Sequence, residues 1–401
     1  MLATLVLALL GILLGTFTGL VPGIHVNTVV LVILSFLPKL LEYFTPREIV
    51  SIVVAMSITH SFVSYIPSIL IGAPEEDSVL SVLPGHRLLM QGRGYEAIWL
   101  TVVGGLGSII LSCAFLPVGI IALPELYSFT KRFLPFILIG IIFYMIYIED
   151  TMEKKIFALI ITLYSGALGI LVLNGKILAP KFSLFPALTG LFGFSTLLMS
   201  LKTKSNPPEQ IISSPQELYA KGIGIGSVAG LLAGLLPSIG ASQSALIVQN
   251  ILGKKNEKQF LVAQGGVNTS ASIYAILALY LINNPRSGAS IAVEYILRDF
   301  TYTDFLLVIS LVMLTTSLAV GITLGLAKIS IRYVKKIDYA KLSSTVVIFL
   351  TILILGITGV KGLIIAVTAT SIGFITPLCG IKRSHCMSVL MVPTILYFLS
   401  F

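Results

Sequence analysis

The chain has 401 residues, of which 56% are apolar and only 11% charged, and its mean hydropathy is +1.01. A soluble core has no room for that much apolar surface, so the composition excludes an ordinary water-soluble domain and makes the bilayer the solvent. The net charge of +9 would suggest nucleic acid in a soluble protein, but here Lys and Arg sit in short loops between apolar runs, where they orient membrane spans, and nucleic-acid binding is set aside.

A hydrocarbon layer of about 30 Å needs about 20 apolar residues per helical span. Such stretches fall near 2–37, 48–71, 97–121, 133–148, 156–173 and 183–201. The first has no basic residue ahead of it, so it lacks the charged start of a signal peptide and is expected to stay as a membrane segment. A polar stretch from Lys202 to Lys221, with Asn206, Pro207, Pro208 and Pro215, then reads as a linker. Apolar stretches resume near 217–252, 259–283, 304–328, 343–360, 362–379 and 386–400. The expected organisation is an N-terminal membrane repeat at 1–201, a cytoplasmic linker at 202–216 and a C-terminal membrane repeat at 217–401. Cys113, Cys379 and Cys386 are an odd set without paired spacing and read as packing residues.

Each half opens with an unusually long stretch, and the two match. Gly15, Gly19, Leu20 and Pro22 precede Gly230, Gly234, Leu235 and Pro237 by a constant 215 residues. Proline inside an apolar run removes a backbone donor and breaks the helix, and glycine lets the freed chain turn. Each opening stretch is therefore expected to be a broken-helix hairpin that enters and leaves on one side. About five more spans per half then invert the second half relative to the first. On that topology one side collects 17 of the 26 Lys and Arg, which makes it cytoplasmic and puts both termini outside. The fold class is thus an all-α integral membrane protein with two inverted-topology repeats.

Inverted repeats with discontinuous helices are a recurring plan of secondary transporters, with substrate bound near the midplane at the breaks. A half-helix ending in the membrane exposes unpaired N–H groups and a partial positive charge, which suits a carboxylate. The first tip offers Gly23, His25, Asn27 and Thr28, and the second Ser238, Gly240, Ser242 and Gln243. The alternative is that these small residues serve only close helix packing. His25 reads as a structural imidazole, a substrate donor or a proton carrier, and its counterpart in the repeat is Gly240. Asn268 and Thr269 lie inside a span of the second half, and Arg286 at its end is either a bidentate carboxylate partner or an interfacial anchor. Glu75 and Asp77, in the run Gly72–Ser78, are candidates for ion coupling or members of a solvated loop.

Enzyme chemistry finds little support: there is no metal-ligand spacing, no Gly-x-Ser-x-Gly elbow and no Gly-Lys-Ser/Thr nucleotide loop. The ranking is a secondary transporter for a small organic anion first, and a lipid-phosphate translocase second. An intramembrane enzyme using His60, His86 and Arg87 comes third. No cofactor is expected beyond a Na+ or H+ coupling ion.

The runs Gly15–Thr28 (GTFTGLVPGIHVNT) and Ser68–Gly85 (SILIGAPEEDSVLSVLPG), with the repeat at Gly230–Ser244, resemble the large permease subunit of tripartite tricarboxylate transporters, and most closely its archaeal branch. The resemblance covers most of the chain. It implies a multi-pass cell-membrane subunit that moves a carboxylate with an ion gradient; the sequence leaves open whether the chain forms a homo-oligomer. In the bacterial systems it works beside a small membrane subunit and an extracytoplasmic binding protein. The family's hairpin motifs fall on Gly19, Pro22 and Gly23 and on Gly234, Pro237 and Ser238, where Ser238 replaces the usual glycine.

Overall fold

The computed structural model describes residues 2–21, 24, 26–71, 82–175, 177–178, 180–200, 208–215, 217, 219–236, 240–241, 244–245, 248, 252, 256–333 and 339–399. These are helical almost throughout, with no strand among them. Eight helices among the described residues are long and apolar enough to cross a membrane. The protein is a multi-pass membrane protein.

The first half gives α1 (Leu2–Leu20), α2 (Val26–Ser35), α3 (Leu37–Leu40), α4 (Pro46–Val63), α5 (Tyr65–Leu70), α6 (Val82–Met90), α7 (Gly94–Tyr147), α8 (Met152–Asn174), α9 (Pro180–Leu188) and α10 (Ser195–Ser200). The second half gives α11 (Ala220–Leu235), α12 (Glu257–Ile282), α13 (Gly288–Leu297), α14 (Tyr302–Tyr333), α15 (Tyr339–Leu378) and α16 (Ser388–Leu399). The opening segment breaks where the Gly/Pro pattern places it, after Leu20, and α11 likewise stops at Leu235. The stretches read separately at 343–360 and 362–379 both fall within α15, and the backbone leaves helical geometry between them: at Gly359, φ +66°, two helices meet at a kink.

The chain forms two compact units, each drawing on both halves. The first comprises 1–126 and 206–337. Its centre is a pair of matching interlocks. On α1, Gly11 faces the carbonyl of Ile52, Gly15 faces Met56 and Thr59, and Gly19 faces Val63, all on α4 or its last turn. On α11, Gly226 faces Ala263, Gly230 faces Val267 and Ser270, and Gly234 faces Tyr274 on α12. A methyl group at any of these glycines meets backbone or Cβ atoms at 2.9 Å or closer, so only glycine lets the backbones approach this far. The glycines correspond at the offset of 215 and their partners at 211, the connection being four residues shorter in the second half. Contacts advance along both helices together, and the Ser51 hydroxyl reaches the Thr4 carbonyl near both starts, so α1 and α4 run parallel. The chain between them must therefore return to the side where α1 began.

Part of the linker is fastened to this unit. Gln210 donates to the Leu89 carbonyl and accepts from the Gly94 N–H at 2.9 Å each, and the Ile211 N–H donates to Gly92 at 2.8 Å.

The second unit comprises 127–205 and 338–401. Gly166 and Gly169 of α8 admit Val392 and the Val389 backbone of α16, while Gly373 of α15 abuts Leu191 in the π-helical turn Thr189–Phe194. Glu149, in the turn between α7 and α8, meets His385 of the 3-10 turn Arg383–Met387 at 3.1 Å, both buried. Burial pushes the Glu149 carboxyl up, but the hydrogen bond and charge of His385, with Lys382, outweigh it and hold the group below its ordinary value. All three cysteines are free.

Candidate functional site

The candidate site lies in the first compact unit and begins with the break after α1. One turn before that break, Thr18 Oγ1 and His60 Nδ1 of α4 are hydrogen-bonded at 2.9 Å, and His60 is only 4% exposed. An ionisable side chain buried inside a span is costly to place there. Beyond the break, α2 opens with Val26 and Asn27. Asn27 lies against Gly288, the first residue of α13, its Oδ1 occupying the space that a Cβ at that position would take.

The start of α13 is built for polar contact. Ser287 caps the helix, its hydroxyl accepting from the Ser290 N–H at 3.1 Å, and the Ser290 hydroxyl accepts from the N–H groups of Arg286 and Ser287 at 2.9 and 2.8 Å. That arrangement uses the amide of Ser290 and leaves those of Gly288 and Ala289, the first two of the helix, without an intrahelical acceptor. Arg286 directly precedes the cap. Asn27 and Arg286, singled out in opposite halves of the sequence, are thus brought together at one helix start.

Asn268 and Thr269 have different surroundings. Thr269 is buried, and its hydroxyl donates to the carbonyls of Gly105 and Gly265 at 3.1 Å each, which ties α12 to α7. Asn268 is 8% exposed, and its side-chain amide has no protein partner among the described residues. A nearly buried amide without a partner forfeits hydrogen bonds unless a ligand or water supplies them. Ser57, the position on α4 that corresponds to Asn268, and Ser61 and Ser272, which donate to the carbonyls of Ser57 and Asn268, continue this polar line on both helices.

Gly240 is described and half-buried, and Thr28 falls within α2. Gly23, His25, Ser238, Ser242, Gln243, Glu75 and Asp77 lie outside the described residues. Among the described residues no three His, Cys, Asp or Glu side chains gather as a metal site would need.

The model of the tripartite tricarboxylate transporter TctA family matches residues 5–388. The chain belongs to that family. An uncharacterized protein of the archaeon Methanocaldococcus jannaschii is 32% identical over 400 residues, covering 98% of both chains. No solved structure matches. TctA membership makes the chain a membrane transporter of a family named for tricarboxylates, and it covers both opening segments and the start of α13.

Sequence reasoning missed several members of this region. The Thr18–His60 bond joins residues 42 apart, and neither Thr18 nor Ser57 stands out without knowing that α1 and α4 run parallel. The only available signal was the i, i+4 spacing of Ser57, Ser61 and of Asn268, Ser272.

Proposed function

We propose that this TctA-family chain is the permease that carries a small organic anion, a carboxylate, across the cell membrane, binding it where the tip of the first opening segment meets the second half at the start of α13. The observation that carries this reading is the convergence of Asn27 on the start of α13, beside Arg286 and the amides of Gly288 and Ala289. A guanidinium, a side-chain amide and helix-start N–H groups are the donors that bind carboxylates, and the positive end of the helix adds to the attraction. The Asn268 amide, nearly buried and without a protein partner among the described residues, supports a second polar contact along the route. Uptake is driven by Na+ or H+, with Glu75 and Asp77 as the coupling carboxylates. Its partners on the family's tripartite plan would be a small membrane subunit and an extracytoplasmic binding protein.

Thermal shift of the purified protein against mono-, di- and tricarboxylates and phosphate tests the reading. A carboxylate class is expected to raise the melting temperature. Arg286→Ala is expected to weaken that ligand by about 10- to 100-fold, the worth of a charged hydrogen bond. Stabilisation by phosphate alone, or a carboxylate effect unchanged in both Arg286→Ala and Asn27→Leu, would reject it.

A further inference from the structure

Four charged residues of the first unit stand outside the carboxylate site and follow a rule of their own. Arg47 is the second residue of α4, and Lys258 is the second residue of α12, 211 positions later. Glu96 is the third residue of α7, and Asp304 is the third of α14, 208 positions later. Arg47 Nε donates to Asp304 at 2.7 Å, and Lys258 Nζ lies 3.1 Å from Glu96. Each bridge therefore crosses from one half to the other, and equivalent residues exchange partners. Such an exchange, in which i meets j′ and i′ meets j, is the signature of a two-fold relation.

The direction of the helices places the two bridges. Tyr280, near the end of α12, stacks on Phe305 at 4.8 Å, next to Asp304 and hence to the start of α4. The start of α12 meets α6 and α7 through Glu257–Arg87 and Lys258–Glu96. Tyr65, just beyond α4, donates to the Gln264 carbonyl at 3.0 Å, in the early part of α12. The end of α4 thus lies by the start of α12, and the two helices run in opposite directions. From Lys258 to Tyr280 the helix rises about 33 Å at 1.5 Å per residue. A hydrocarbon core is about 30 Å thick.

Each bridge is also built to release. Both carboxylates are buried, with Asp304 3% and Glu96 2% exposed, and a buried charge stripped of its only partner is strongly destabilising. Neither is left in that state when its cross-half cation departs. Asp304 also accepts from the Thr301 N–H and hydroxyl, and Glu96 is gripped by both Arg93 Nε and Nη2 at 2.7 and 2.6 Å. The departing cations have water to go to, their side chains being 54% exposed for Arg47 and 30% for Lys258.

We propose that Arg47–Asp304 and Lys258–Glu96 are equivalent, releasable latches at opposite faces of the membrane, each fastening the helix pair of one half to the long helix of the other. The Lys and Arg distribution puts Lys258–Glu96 on the cytoplasmic face. The proposal rests on the membrane reading and not on the substrate.

Single cysteines decide the sidedness. In a chain carrying Cys113→Ala, Cys379→Ala and Cys386→Ala, Arg47→Cys and Lys258→Cys are labelled with a membrane-impermeant maleimide in right-side-out and inverted vesicles. Arg47→Cys is expected to react only in the first and Lys258→Cys only in the second. Tyr43→Cys and Arg87→Cys, exposed neighbours that belong to neither latch, are expected to report the same faces if the latch variants fold poorly. Labelling of both ends from one side overturns the proposal. Release is read in the pairs Arg47→Cys with Asp304→Cys and Lys258→Cys with Glu96→Cys, oxidised with copper–phenanthroline. Cross-linking is expected to stop carboxylate counterflow in proteoliposomes, with recovery on reduction. Full flux in a cross-linked pair refutes release, whereas absent flux in the reduced parent counts against the transporter reading and leaves sidedness to judge the latches.

Discussion

The helix pairs α1/α4 and α11/α12 are two editions of one interlock, and their difference separates what packing requires from what it does not. The same glycine ladder meets equivalent residues in each: Gly15 faces Met56 and Thr59, and Gly230 faces Val267 and Ser270. Between the rungs the chemistry departs. The first pair holds the buried Thr18–His60 hydrogen bond, and the corresponding positions of the second are Ala233 and Ala271. Since the second interlock closes with two methyl groups, close approach does not need the imidazole. The duplicated part is a scaffold, and the polar pair is an addition peculiar to the first half.

Filling the ladder is the most severe disruption of this scaffold. Gly15→Leu and Gly230→Leu are each expected to destabilise by about 3 kcal/mol or more, because the added side chain meets backbone that cannot yield. Both should lose the monodisperse peak or melt well below the parent in detergent. Tolerance of either one would show that the two interlocks are not equivalent. A smaller effect follows from making the first pair resemble the second. Thr18→Ala and His60→Ala are each expected to cost about 1–2 kcal/mol, and the double variant less than their sum, since either single change already removes the hydrogen bond they share. Additive losses in the thermal melts would mean the two side chains do not act as a unit.

The smallest effect is a pH control from the second unit. Glu149 is held below its ordinary carboxylate value of 4.5, so its contribution is complete above that value and lost as the pH falls towards the lowered one. The parent should therefore melt at progressively lower temperature as the pH drops through the acid range. Glu149→Gln should flatten that dependence while leaving the ladder variants ranked as before. An unchanged slope in Glu149→Gln would assign the acid sensitivity elsewhere.

What was legible in the sequence was whatever single residues impose on the backbone. A proline or a glycine run acts at its own position, so the breaks after Leu20 and Leu235 and the internal repeat could be read directly. Asn27, Asn268 and Arg286 were also visible, because polar groups within apolar stretches stand out by their cost. Their surroundings were not. Thr269 carries the same polar signal as Asn268, yet its hydroxyl is committed to the Gly105 carbonyl, a distinction set by which way the helix faces. The bridge from Arg47 to Asp304 spans 257 residues and leaves no local trace. Gly359 acts at its own position too, since the positive-φ residue at which α15 kinks sits where the two apolar stretches were divided.

The interleaving of the two compact units has a consequence for how the protein is made. The first requires residues 1–126 and 206–337, and the second 127–205 and 338–401, so a nascent chain that has delivered only its first half has completed neither. Arg47 enters the bilayer some 257 residues before its partner Asp304 is translated. Until then the glycine faces and buried carboxylates of the early helices have only lipid, one another or the insertion machinery to meet. Biogenesis must shelter an unfinished half, and a ribosome that stops at the linker leaves a membrane fragment rather than a smaller working protein.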